Sequence, residues 1–96
     1  METIVHNRWL ILDCNAEVVG SKKGYKTLKG AQRKEKTEWL NIMAAYYARK
    51  DGKTNLISQI IPVHVIMQGK GKDKRIVYEK RTGFIVRNIG SADNGC

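Results

Sequence analysis

The stretch Leu56 to Gln68, L-I-S-Q-I-I-P-V-H-V-I-M-Q, decides what kind of fold this chain adopts. Ile57, Ile60 and Ile61 precede Pro62, and the residues after it alternate: Val63, Val65 and Met67 fall on one side, His64, Ile66 and Gln68 on the other. Alternation at a period of two in β-branched residues is the pattern of a strand. Pro62 removes one ladder donor, so a bulge, a strand start or an edge position is expected there. Gly69 to Lys74, G-K-G-K-D-K, then reads as a hairpin connection. Arg75 to Ile89, R-I-V-Y-E-K-R-T-G-F-I-V-R-N-I, returns as one long strand, with a bulge expected at Gly83.

Working towards the N-terminus, Leu28, Ala31, Glu35, Trp39, Ile42, Met43 and Tyr46 recur at three- and four-residue steps, the spacing of a helix face. Thr27 is the expected N-cap, and Asp51-Gly52 supplies the stop. The spacing predicts a single helix from Leu28 to Lys50, about 34 Å long at 1.5 Å per residue. Its first half is polar and its second half, W-L-N-I-M-A-A-Y-Y-A, is the part able to bury. Before it, Thr3 to Cys14 is rich in β-branched and aromatic residues and reads as a strand. Asp13 to Ala16 offers turn chemistry, Glu17-Val18-Val19 a short returning strand, and Gly20 and Gly24 punctuate a loop.

These elements predict an α+β domain: an antiparallel sheet of about four strands in the order β-β-α-β-β, with one long helix packed across one face. A strongly bent sheet approaching a small barrel is the alternative closure. Ninety-six residues with 42% hydrophobic character suffice for one core. Residues 1–90 are expected to form one compact domain, and S-A-D-N-G-C at 91–96 a flexible tail. No apolar run approaches the ~18–20 residues of a membrane span, and M-E-T-I-V-H-N-R lacks the order of a signal peptide. The expected location is cytoplasmic, without a membrane partner.

Charge carries the functional information. Eighteen lysines and arginines against nine acids give a net charge of +9. Such a surplus attracts polyanions. Most of it lies in two zones. Gly20 to Lys36, G-S-K-K-G-Y-K-T-L-K-G-A-Q-R-K-E-K, holds seven cations and the single acid Glu35. Gly69 to Arg81 holds Lys70, Lys72, Lys74, Arg75, Lys80 and Arg81 against Asp73 and Glu79. The first zone crowds cations at a helix N-terminus that already carries about half a positive charge, an arrangement that opposes folding unless an anion sits there. The Gly20-x-x-x-Gly24 loop before Thr27 has the general design of backbone N–H groups turned on a phosphate, although it is not a Walker A sequence.

The predicted function is therefore that of a small, basic, non-enzymatic nucleic-acid-binding protein, for DNA or RNA and largely independent of sequence. The predicted phosphate-binding residues are Lys22, Lys23, Lys26, Lys29, Arg33 and Lys36, joined on the hairpin by Lys70, Lys72, Lys74, Arg75, Tyr78, Lys80 and Arg81. Tyr78 is expected to stack a base beside Lys80, on the face opposite Arg81 and Arg87, while Phe84 is expected in the core. No catalytic residues, metal or cofactor are expected: the acids show no paired-carboxylate pattern, and His6 and His64 read as ordinary strand histidines. Cys14 and Cys96 read as reduced thiols. Two alternatives stand beside this reading. One is a small phage- or mobile-element-type protein that binds and inhibits a host protein, or pairs as a homodimer, with Tyr46 and Tyr47 as contact candidates. The other is a module for an anionic nucleotide ligand built on the Gly20 to Lys29 loop.

Overall fold

The computed structural model describes residues 3–49, 56–69, 71 and 74–90. Along them run β1 (Thr3–Asp13), β2 (Val18–Val19), α1 (Leu28–Thr37), α2 (Trp39–Arg49), β3 (Leu56–Gln68), β4 (Arg75–Lys80) and β5 (Val86–Ile89). The molecule is α+β, with a curled antiparallel sheet and two helices. The observed order β-β-α-α-β-β-β replaces the expected β-β-α-β-β. Lys50, the Asp51-Gly52 stop, Lys70, Lys72, Asp73 and the 91–96 tail lie outside the described residues.

The decisive stretch is the spine of the sheet. Strand β3 pairs with β1 from Thr3↔Gln68 to Asp13↔Ser58 along one edge. Its other edge is shared: β4 covers Val63 to Gln68, and β5 covers Leu56 to Ile60. The single strand expected over Arg75 to Ile89 is thus two strands with a break at 81–85. That break explains Pro62. Instead of a bulge, strand start or edge, Pro62 lies in the interior of the central strand, opposite Trp9. Its carbonyl accepts the Arg81 backbone N–H at 3.3 Å, so its missing donor faces the gap between β4 and β5. Gly83 sits in that gap, where a Cβ would lie 3.1 Å from Pro62 Cγ.

The expected single helix is interrupted at Glu38, which adopts φ −94° and ψ 12°. Just before it the Thr37 hydroxyl donates back to the Arg33 carbonyl at 3.2 Å, a bond that bends helices. The core stripe nevertheless runs through both halves. Ala31 and Ile42 are buried with Ile11, Ile57 and Ile60, and Leu28, Trp39, Met43 and Tyr46 pack around them. Burying Ile42 and Ile60 contributes roughly 1.5–3 kcal/mol each. Thr27 caps α1 as its sequence predicts, its Oγ1 accepting the Gly30 N–H at 3.0 Å. At the far end, the Arg49 guanidinium donates to the Cys14 carbonyl and ties α2 to the turn after β1. That turn is built by Asp13, whose Oδ1 accepts the N–H groups of Asn15 and Glu17.

A second cluster holds Leu10, Ile61, Val63 and Val65, with Leu12, Val18, Met67 and Ile85 against it. Val65 and Val63 are fully buried although neither helix belongs to this cluster. The curl of the sheet covers them, bringing Val18 of β2 and Ile85 of the 81–85 segment onto the same apolar surface. The radius of gyration is 15.1 Å, against about 12.5 Å for a compact chain of this length. The molecule is elongated, at 55 × 25 × 23 Å. No helix among the described residues is long and apolar enough to cross a membrane.

Candidate nucleic-acid interface

The loop between β2 and α1 is held by its own hydrogen bonds. Tyr25 pairs with Trp9 of β1, through Trp9 N to Tyr25 O at 2.8 Å and Tyr25 N to Trp9 O at 2.9 Å. The Ser21 N–H donates to the Tyr25 hydroxyl at 2.9 Å, the Lys23 N–H to Ser21 Oγ at 3.2 Å, and the Gly24 N–H to the Ser21 carbonyl at 3.1 Å. Gly24 has φ 77°, and a Cβ there would meet Arg8 Cβ at 2.8 Å. Its glycine thus serves a close approach to β1. The N–H groups of Ser21, Lys23, Gly24 and Tyr25 are thus spent within the loop and are not offered to a phosphate. Side-chain charge is offered there by Lys22, Lys23 and Lys26, all exposed.

The same loop reaches across to the opposite end of the strand order. The order is β2-β1-β3-β4, yet the Tyr78 hydroxyl of β4 donates to the Lys22 carbonyl in the loop that follows β2. The curled sheet is closed by this bond, and the two basic zones of the sequence meet there. Strand β4 is exposed along its whole length, presenting Lys74 just before it and Arg75 and Lys80 within it. Burial at the closure pushes the Tyr78 hydroxyl pKa above its ordinary 10.0. Tyr78 is therefore a clamp between the zones, its hydroxyl engaged and the residue as a whole 37% exposed.

On α1, Lys29, Arg33 and Lys36 are exposed and follow one another at four and three residues, a single stripe on the helix surface. Arg81 departs from its predicted role. Its Nε donates to the Val63 carbonyl and its Nη2 to the Arg8 carbonyl, both at 3.2 Å, and its guanidinium lies 5.1 Å from the Trp9 ring centre. Those interactions make Arg81 a brace for the strand break rather than a free cation. Phe84 is not core as expected but 63% exposed, with its ring 5.7 Å from that of Trp9. The break between β4 and β5 places Phe84 outside both strands. Of the two contact candidates on α2, Tyr46 packs on the core and Tyr47 is 60% exposed, their rings 5.7 Å apart.

Sequence reasoning missed Phe84, for which the signal was the Thr82-Gly83 turn immediately before it. It also passed over Glu35 as a site residue. The core stripe already pointed that acid inward, and Glu35 is buried with its Oε2 accepting the Ser58 hydroxyl at 2.8 Å. Comparison of the chain with protein-family models, curated proteins and solved structures finds no match.

Proposed function

We propose that this chain is a non-enzymatic nucleic-acid-binding protein that holds phosphates on lysine and arginine side chains. The observation that carries this reading is the Tyr78 to Lys22 hydrogen bond, which joins the cationic loop to the cationic edge strand. Exposed cations on both sides of that bond, with the stripe Lys29, Arg33 and Lys36 on α1, supply a positive surface suited to a phosphate chain.

Counterion release tests it. If six to eight phosphates are engaged, the logarithm of the association constant falls against the logarithm of salt concentration with a slope of roughly −5 to −7 for duplex DNA. Replacing Lys22, Lys23 and Lys26 by glutamine makes that slope shallower by about one for every phosphate the chain ceases to neutralise. A binding curve flat between low and physiological salt excludes the proposal. A protein partner is the second reading, favoured by the exposure of Leu40 at 85% and Tyr47 at 60% on the outer side of α2. Such a partner stays bound at high salt.

A further inference from the structure

Beside α1, away from the closure, Glu35, Lys36, Trp39 and Asn88 line an open groove of about 400 Å³. Its volume lies within the range of small-ligand sites. Its floor is a polar relay: Asn88 Nδ2 donates to Ser58 Oγ at 3.1 Å, and Ser58 Oγ donates to Glu35 Oε2 at 2.8 Å. Ser58 is fully buried and Glu35 is 7% exposed. Among the described residues Glu35 has no cationic partner, and the Ser58 hydroxyl supplies its one hydrogen bond. A buried carboxylate held this way is costly, since a charge out of water needs a counterion or several donors. Lys36 stands at the rim of the same groove, in a chain of net charge +9.

We infer that this groove binds a guanine base of a single-stranded nucleic acid. The inference rests on the nucleic-acid reading above and names the base-binding site within it. A carboxylate accepts two parallel N–H bonds in one plane. Guanine is the nucleobase whose pairing edge carries two adjacent N–H donors, at N1 and N2, whereas adenine, cytosine and uracil each set a donor beside an acceptor. Trp39 supplies the aromatic wall on which a base stacks. Lys36 continues the stripe of Lys29 and Arg33, which spans about 10 Å along the helix, so a strand whose phosphates follow those cations delivers a base to Glu35. Asn88 holds Ser58, and Ser58 holds the carboxylate, leaving Glu35 an acceptor for the ligand.

The test titrates the full chain with guanosine monophosphate and, separately, adenosine monophosphate, following tryptophan fluorescence. Guanosine monophosphate is expected to quench and to bind about tenfold more tightly than adenosine monophosphate. Glu35→Gln abolishes that preference while its melting temperature stays equal or rises, because glutamine keeps an oxygen to accept the Ser58 hydroxyl. A purely structural Glu35 instead lowers the melting temperature of the variant and leaves nucleotide selectivity unmoved. Equal or absent quenching by the two nucleotides with the unaltered chain overturns the inference, as does a response to an arginine amide without one to guanosine monophosphate. A guanine-containing and a guanine-free single strand of equal length measured alongside separate the two ideas. Steep salt dependence for both with no preference for guanine retains the phosphate reading and sinks the groove, whereas guanosine monophosphate binding without binding of either strand sinks the phosphate reading and with it the single-strand ligand.

Discussion

Gly24 and Tyr78 decide how the basic loop is held. At Gly24 a left-handed φ of 77° coincides with a would-be Cβ approach of 2.8 Å to Arg8 Cβ. Gly24→Ala therefore adds both backbone strain and a clash, and the urea midpoint is expected to fall by the equivalent of about 1–3 kcal/mol. Tyr78→Phe removes a single hydroxyl and leaves the Lys22 carbonyl to water, which costs about 0.5–1.5 kcal/mol. The two states of Tyr78 also give a pH signature. Its pKa is raised in the folded protein, so the folded state holds that proton more tightly than the unfolded chain. The stabilisation is fully present below the unfolded value near 10 and is lost as pH rises through the higher folded value. Chemical denaturation measured from pH 8 to 11 is expected to show a steeper alkaline loss for the natural chain than for Tyr78→Phe.

Helix α1 shows why a cationic N-terminus is a poor choice for stability. Its first turn carries no acid, and Lys29 sits there against the positive end of the backbone dipole. Lys29→Glu is expected to raise stability by about 0.3–1 kcal/mol in thermal melts while weakening nucleic-acid affinity in the same preparation. A loss on both counts refutes that division of roles. Much of this element was legible: Thr27 as the cap, and the stripe through Ala31, Glu35, Trp39 and Ile42, followed from three- and four-residue spacing. The interruption at Glu38 did not, because the stripe is continuous across it and Glu38 still donates to Lys34 and accepts from Ile42. Strand β4 is the counterpart. The residues from Arg75 to Ile89 are rich in β-branched and aromatic side chains and read as one strand, while the pairing stops at Lys80 and resumes at Val86.

Across the molecule, a net charge of +9 on 96 residues is a standing self-repulsion. The melting temperature of the free protein is expected to rise as salt increases from about 0.01 M to 0.15 M, where the screening length falls from about 30 Å to 8 Å. Nucleic-acid affinity moves the opposite way over the same range. Opposite salt responses of folding and binding are the fingerprint of a surface whose charge serves a partner. The two clusters on either side of the sheet give the molecule the stability to bear that charge: one is sealed by the helices, the other by the curl.

Local pattern was enough to specify the inward stripe of the helices, where the chain turns after Asp13, that α1 begins after Thr27, and that cations gather in two zones. Each of these depends on neighbours a few residues apart, whose spacing is written in the chain. The division of the last strand around Pro62, the recruitment of Arg81 to Trp9, the burial of Glu35 over Ser58 and the meeting of the loop with β4 depend on distant residues. Lys22 and Tyr78 are 56 positions apart, and only the curl of the whole sheet brings one within hydrogen-bond reach of the other. Periodicity reports which side of an element is buried, but not what lies against it.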